Sequence, residues 1–378
     1  MQMNRAETGG HAGSTGSTGH RKWNIGRPLK GLVDLYNPRI WKEKGLWWTL
    51  GVLVVTAAVI IVILGIWWSR SPARFDVREN ALALADGDQA ALVTGSYTAA
   101  TAVRIGRTLL NKPGGYLSND KLPPGLYLDN IPNWEFGTIT ALRDLAAEMR
   151  NHLSRSQSQS IEDPDLQIAH PQLNYDSDSW ILPSTESEYR KGIAALESYF
   201  HRLSGDGQRD AQFFARADNL TFYLREVSTR LGSLGARLGA AAKHKGAAAT
   251  VEMEELTAEA QQARDESRED TSEVSQIEMP WLEVDDVFFE ARGYCWALLH
   301  TMKAIQMDFR RVLVDKTAMV PMQQIIDELE HTQAMIWSPI IVNGTGFGPL
   351  PNHPLVMASY IGRANAGIID LRNLLQQG

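Results

Sequence analysis

A run of 23 residues without a charged side chain constrains this chain more than any other feature. The run is "LWWTLGVLVVTAAVIIVILGIWW", residues 46–68. At about 1.5 Å per residue, a helix of this length reaches roughly 34 Å, enough to cross a hydrocarbon core of about 30 Å. Its ends carry tryptophans, whose indoles favour the two membrane–water interfaces: Trp47, Trp48, Trp67 and Trp68. We predict a helix that spans the lipid bilayer, rather than a buried core helix or a cleaved signal peptide, whose apolar region would be shorter.

Charge on either side of this run predicts its orientation. Residues 1–45 carry eight Lys or Arg and three Asp or Glu, whereas residues 69–378 carry 29 and 41. Because basic segments remain on the cytoplasmic side, the N-terminus is expected in the cytoplasm and residues 69–378 outside it. In a bacterium this describes a single-pass inner-membrane protein with a periplasmic C-terminal domain.

Three parts of the chain follow from this division. Residues 1–45 form a tail that is basic near the membrane, and its Gly/Ser/Thr-rich first 20 residues predict disorder. Residues 46–68 form the membrane span, and residues 69–378 form the external domain. The net charge of −7 argues against nucleic acid as a partner.

Helical periodicity dominates the external domain. No segment shows sustained strand alternation, and the pattern predicts an all-α domain of about eight helices in an up-and-down or hairpin bundle. The predicted helices are 79–110, 135–157, 186–204, 209–242, 248–277, 282–316, 321–336 and 355–376. Ser184 or Thr185 is the expected N-cap of the third, since a Glu follows three positions on.

Two of these helices carry unbroken heptad stripes of apolar residues, which are typical of closely packed helices and coiled coils. The first stripe consists of Phe213, Ala217, Leu220, Leu224, Val227, Leu231, Leu234 and Leu238, and the second of Ala291, Cys295, Leu298, Met302, Ile305, Phe309 and Val312. Cys295, the only cysteine, should therefore be a buried thiol. Gly232, Gly235 and Gly239 permit close helix approach, but we expect a helix that loosens before a turn at 240–249.

No recognised pattern predicts chemistry, so we assign no catalytic, cofactor-binding or metal-binding residue. Glu328 and His331 form one Glu-x-x-His motif, and a di-metal bundle needs two such motifs with two further Glu. Residues 250–290 hold 14 acidic and two basic side chains. Such a pattern is typical of a solvated helix face or of a docking surface for a basic partner. A calcium site at Glu283, Asp285 and Asp286 lacks the expected glycine-bearing loop.

Several stretches together resemble a family of proteobacterial membrane proteins catalogued as domain of unknown function 2333. They are "KPGGYLSND" (112–120), "PNWEFG" (132–137), "SRSQSQSIEDPDL" (154–166), "SWILPSTESEY" (179–189), "ARADNL" (215–220) and "RLGSLGARL" (230–238). The likeness covers roughly residues 25–375 and implies a Gram-negative inner-membrane setting. It implies no activity and no functional residues.

The loop "NKPGGYLSNDKLPPGLYLDNIPNWEFG", residues 111–137, is the strongest candidate for a contact surface. If the helices run up and down, residues 111–134 and 338–354 lie at the end remote from the membrane, and residues 162–184 lie near it. The candidate partner-binding residues are the aromatics of these remote loops, since exposed aromatics favour interfaces: Tyr116, Tyr127, Trp134 and Phe347. For Trp134, with Phe136, we favour a plug that closes the end of the bundle, which leaves Tyr116 and Tyr127 as the better candidates for contact.

Two functions fit these observations. The first is a non-enzymatic adaptor or scaffold whose external domain binds other envelope proteins, with a homo-oligomer through the heptad helices as a variant. The second is an envelope hydrolase or a lipid- or glycan-binding protein. A cleft lined by His and carboxylate groups with shifted pKa values would favour the second.

Overall fold

The computed structural model describes residues 41, 44–155, 161–205, 210–254 (backbone only from 243), 284–336, 341 and 351–377. The chain divides into two compact units, Met1–Ile60 and Ile61–Gly378. The apolar run forms helix α1, Leu46–Trp68, in which no residue is buried. With a mean hydropathy of 2.9, α1 alone among the described helices is long and apolar enough to cross a membrane.

Ten further α-helices follow in the described part of the chain, and no β-strand is found there, which confirms the all-α class. They are α2 (Val77–Leu84), α3 (Ser96–Asn111), α4 (Asn130–Glu148), α5 (Pro164–Leu173), α6 (Thr185–Ser204), α7 (Ala217–Glu254), α8 (Val284–Asp308), α9 (Arg310–Asp315), α10 (Met319–His331) and α11 (His353–Gln376). A π-helical turn, Met149–Leu153, extends α4.

The heptad stripes form the centre of the domain. From Leu220 onward the first stripe is buried along α7, and the second is buried from Ala291 to Phe309. Cys295 is fully buried as expected, and burial raises the pKa of its thiol to about 12, which keeps it protonated and unreactive. Ser184 is the N-cap of α6, since its Oγ accepts from the backbone N–H of Ser187 at 3.4 Å.

The predicted continuous helix 79–110 is wrong, because the chain breaks it between α2 and α3. Asp86 and Gly87 take positive φ values of 52° and 84°, and Gly95 takes 95°. Only glycine adopts such values without strain. At Gly95 a side chain would also collide with the ring of Phe213, whose carbon stands 2.3 Å from the position of a Cβ. The break therefore gives α3 its own direction.

Helices α4 and α8 cross at two glycines in the middle of the domain. A Cβ on Gly137 of α4 would stand 1.9 Å from the carbonyl oxygen of Glu290, and one on Gly293 of α8 would stand 2.0 Å from that of Trp134. The two backbones are thus in direct contact. This crossing brings together the indoles of Trp134 and Trp296, whose centroids lie 5.2 Å apart.

The expected loosening of the helix at Gly232 to Gly239 and the turn at 240–249 are wrong. Helix α7 continues through these residues to Glu254. Gly232 and Gly235 face α11, where Asn365 and Ile361 would lie 3.9 Å and 3.7 Å from an added Cβ. These glycines therefore permit the close approach of α7 and α11. The predicted helix 248–277 lies outside the described residues beyond Glu254.

Candidate functional site

A buried ion pair organises the loop between α3 and α4. The ammonium of Lys112 contacts the carboxylate of Glu135, and the side chains of both are almost completely buried. Glu135 also accepts hydrogen bonds from the backbone N–H groups of Leu117 and Ser118, at 2.9 Å and 2.8 Å. A buried carboxylate with a cation and several donors is fully satisfied, so it fixes the path of the chain.

Two of the predicted partner-binding aromatics lie in the core. Tyr116 is buried, and its hydroxyl donates to the carbonyl of Ser177 at 2.9 Å. Trp134 is fully buried at the crossing of α4 and α8. Neither can meet a partner without unfolding, so the interpretation of Trp134 as a structural plug agrees with its burial. Tyr127 is 72% exposed and stays a candidate, and Phe347 lies outside the described residues.

The predicted remote position of residues 111–134 is also wrong. Gly114, with φ +86°, packs on the indole of Trp68 at the end of α1, where a Cβ would stand 2.8 Å from the ring. A Cβ on Gly65 would stand 3.8 Å from Pro124 and 3.9 Å from Leu128. The loop therefore lies against the last turns of α1. A count of helices predicts the opposite end only if residues 79–110 form one helix, and the break between α2 and α3 removes this condition.

A polar groove of about 430 Å³ opens between α4, α5 and α7, above α8. Arg230 binds both carboxylate oxygens of Asp144 at 3.0 Å, and Arg237 binds both oxygens of Glu290 at 2.7 and 2.6 Å. Arg143 donates to the carbonyls of Leu173 and Tyr175 and to the hydroxyl of Tyr189. Arg143 thus forms no ion pair with a carboxylate in the part of the chain that the structure describes.

Burial shifts the pKa values of Asp144 and His170, which both line this groove. It raises the pKa of Asp144, against the opposing effect of Arg230, and it lowers the pKa of His170, which also lies near Arg150. A cleft with such groups is the feature that would favour a hydrolase or a ligand-binding protein. However, both Asp144 oxygens accept from Arg230, and Tyr294 donates to one of them at 3.3 Å. A carboxylate held in this way is poorly placed to accept a proton from a substrate.

A second hollow, of about 850 Å³, lies where the start of α7 meets the ends of α9 and α11. Four basic residues and one acidic residue line it: Arg216, Arg225, Lys316, Arg372 and Asp218. Arg216 forms a bidentate ion pair with Asp218, whereas Arg225 and Arg372 form no ion pair with another described residue. We call it the basic hollow. It contrasts with residues 69–378, whose net charge is −12.

Two guanidinium groups of the basic hollow, those of Arg225 and Arg372, differ in their surroundings. The Nε of Arg372 is buried and has no hydrogen-bond partner among the described residues. The guanidinium of Arg225 lies over the ring of Phe222, 5.2 Å from its centroid, and this ring also lines the hollow. Such donors fit carboxylate or phosphate oxygens.

The basic hollow lies at the end of the domain opposite to Trp68. Asp308, at the end of α8, accepts from the N–H groups of Gly95 and Thr98 at 2.7 Å, at the start of α3. The other end of α3 leads to Gly114 beside Trp68, and 16 residues of helix separate the two ends by roughly 24 Å. Helix α9, which precedes Lys316, follows directly after Asp308.

Sequence reasoning missed both the groove and the basic hollow, because their residues come from distant parts of the chain. Arg230 and Arg237 stand in the quoted motif "RLGSLGARL", but their partners lie 86 and 53 residues away. Arg216 and Arg225, which are close in the sequence, gave a local signal of a basic surface, whereas Lys316 and Arg372 gave no such signal.

The acidic and metal-ligating patterns lead to no site in the described part of the chain. Glu328 pairs with Arg363, and Nδ1 of His331 bonds to the carbonyl of Asp327. No group of three or more His, Cys, Asp or Glu side chains among the described residues could hold a metal ion. Most of the acidic run 250–290, with Glu283, lies outside the described residues.

Comparison with known proteins gives a family and no activity. The model of a family described as "Uncharacterized protein conserved in bacteria (DUF2333)" matches residues 41–378. Neither the curated proteins nor the solved structures include a match to the chain.

Proposed function

The chain belongs to this uncharacterized bacterial family, and we propose that it is a non-enzymatic, single-pass inner-membrane protein that acts as an envelope adaptor. In this proposal α1 crosses the membrane, residues 1–45 lie in the cytoplasm and the helical domain lies in the periplasm. The length and hydropathy of α1 and the basic residues before it support this topology.

The observation that carries the adaptor role is the basic hollow. Arg225 and Arg372, which form no ion pair with another described residue, line this open space together with Lys316. In a domain with net charge −12, such a hollow selects acidic ligands by charge. We infer that it binds an acidic segment of another envelope protein, with Arg225 and Arg372 as the main contacts, because arginine is common at the centre of interfaces.

The polar groove supports binding over catalysis. Its two carboxylates, Asp144 and Glu290, are each held by an arginine through both oxygens. Prebuilt ion pairs fix the shape of a binding surface, whereas a general base or a nucleophile needs an accessible atom that faces the substrate.

In-cell photo-crosslinking of the full-length protein tests this proposal. A photoreactive residue replaces Gln376, an exposed residue that lines the basic hollow, and the matched control replaces Gln167, an exposed glutamine on α5. We expect a defined protein adduct from position 376 and none from position 167. Arg225→Glu should abolish the adduct, whereas Arg190→Glu, at an exposed arginine on α6, should leave it.

Two results would contradict the adaptor role. One is the absence of an adduct at position 376, and the other is an adduct that persists in the Arg225→Glu protein. An adduct between two copies of this chain would instead show that the basic hollow serves a homo-oligomer.

Binding of an anionic glycan or lipid headgroup in the polar groove is a second candidate, favoured by one observation. Phe136 is 42% exposed at the groove, beside Arg143 and Asn174. An aromatic face next to a few polar groups is a common arrangement in ligand sites. A photoreactive residue at Ser233, which is exposed and lines the groove, would then form adducts with the mass of a glycan or a lipid and not of a protein.

A further inference from the structure

Two neighbouring loops of the domain carry exposed apolar side chains next to the end of α1. The first loop, residues 121–128, exposes Leu122 by 67%, Leu126 by 54% and Tyr127 by 72%. The second, residues 176–184, exposes three apolar residues in succession: Trp180 by 50%, Ile181 by 56% and Leu182 by 91%. Apolar residues in such a cluster on a water-soluble surface mark an interaction site.

Hydrogen bonds and an ion pair hold these two loops side by side. The amide of Asn119 donates to the carbonyl of Ser179 at 2.8 Å, and Lys121 pairs with Asp178 at 3.3 Å. Leu122 and Trp180 each come directly after one of these linked residues. The six exposed side chains therefore lie on two adjoining loops, and together we call them the apolar patch.

The depth of the first loop along α1 identifies what the apolar patch contacts. Pro124 and Leu128 lie 3.8 and 3.9 Å from where a Cβ of Gly65 would stand. Gly65 precedes Trp68 by three residues, so it lies about 4.5 Å inside the apolar helix. When α1 spans a membrane, a loop at this depth lies at the boundary between headgroups and acyl chains, where Trp and Tyr are favoured.

We propose that the apolar patch inserts into the outer leaflet of the same membrane that α1 crosses. The patch would thus be a second membrane contact, which holds the domain against the bilayer and fixes its orientation. This inference rests on the proposed membrane span, and the patch is continuous with it through the contacts of Gly65 and of Trp68 with Gly114.

The chemistry of the patch favours uncharged lipid over an anionic surface. Its one lysine, Lys121, is paired with Asp178, and Asp120 and Glu186 lie close by. A contact with this charge should depend on buried apolar area and not on salt or on anionic lipid. The rigid base of the first loop, formed by Lys112 and Glu135, presents its side chains without an ordering cost.

Fluorophores on single introduced cysteines in the full-length protein, reconstituted in phosphatidylcholine vesicles, test the proposal. The test positions are Leu126→Cys and Ile181→Cys, the soluble control is Val314→Cys, and the membrane control is Val62→Cys. These residues are 54%, 56%, 56% and 60% exposed, and the native Cys295 is buried and remains unlabelled. Val314, on α9, lies at the end of the domain opposite to Trp68.

The expected result is a loss of fluorescence at Leu126, Ile181 and Val62 when the acyl chains carry bromine, with no loss at Val314. The losses at Leu126 and Ile181 should be the same in high salt and with added anionic lipid. Quenching at Val62 alone would overturn the apolar patch as a membrane contact and leave the membrane span intact. Absence of quenching at Val62 would overturn the membrane span itself.

Discussion

Replacing Gly137 with Ala should strongly destabilise the domain, because this buried glycine lies at the crossing of α4 and α8. The new Cβ would stand 1.9 Å from the carbonyl oxygen of Glu290 and 2.7 Å from the backbone nitrogen of Tyr294. Real Cβ contacts essentially never fall below 3.0 Å. Neither obstacle is a movable side chain, so α4 and α8 must separate by about 1 Å.

The size of the expected loss of stability follows from this separation of α4 and α8. A gap of about 1 Å forfeits up to about half of the dispersion energy between facing atoms, and overpacked cores lose typically about 1–3 kcal/mol or more. The better helix propensity of alanine offsets about 1 kcal/mol of this loss of stability. Because the crossing of α4 and α8 also packs Trp134 against Trp296, we expect a net loss of about 2–4 kcal/mol.

Thermal unfolding of the full-length protein in detergent, followed by circular dichroism at the helical band, measures the effect. The midpoint should fall by about 5–10 °C in the Gly137→Ala protein. The matched control is Gly239→Ala on α7, where an added Cβ meets nothing within 4 Å. The free energy of unfolding of this control should stay the same or rise by up to about 1 kcal/mol. Equal midpoints for the two variants would refute the direct contact between the α4 and α8 backbones.

Three further predictions follow from buried groups. Lys112→Met leaves the buried carboxylate of Glu135 without its cation and should cost about 3–5 kcal/mol in chemical unfolding, whereas Lys121→Met, at an exposed ion pair, should cost less than about 1 kcal/mol. Burial lowers the pKa of His300 from 6.5 to about 4. The contribution of its neutral ring to the free energy of unfolding is therefore complete above pH 6.5 and is lost as the pH falls from 6.5 through 4. Relative to His300→Gln, the native protein should therefore lose about 2–3 kcal/mol between pH 7 and pH 4.5, and parallel pH profiles would contradict the burial of this ring. The thiol of Cys295 should react with a maleimide only at the rate of unfolding, and rapid labelling of the folded protein would contradict its burial.

The sequence predicted those parts of the fold that depend on local periodicity. The heptad stripes of α7 and α8 are buried as expected, and Ser184 caps α6. Such features need only residues within a few turns of each other. The break between α2 and α3 had a local signal too, since Asp86 and Gly87 favour a turn, but the alanines around them indicate a continuous helix.

The candidate sites were beyond sequence reasoning because distant partners decide which side chains are exposed. Tyr116 has the same polarity as Tyr127, yet Tyr116 is buried because the carbonyl of Ser177 lies 2.9 Å from its hydroxyl. The basic hollow likewise needs α7, α9 and α11 to meet. No local pattern specifies such a meeting, since each basic residue alone is typical of a solvated helix surface.

A reporter fused after Gly378 tests the proposed location of the helical domain. Alkaline phosphatase is active only outside the cytoplasm, so we expect high activity for this fusion and none for a fusion after Lys44, which precedes α1. An inactive reporter at Gly378 together with an active one at Lys44 would contradict the topology, and with it the roles proposed for the basic hollow and the apolar patch.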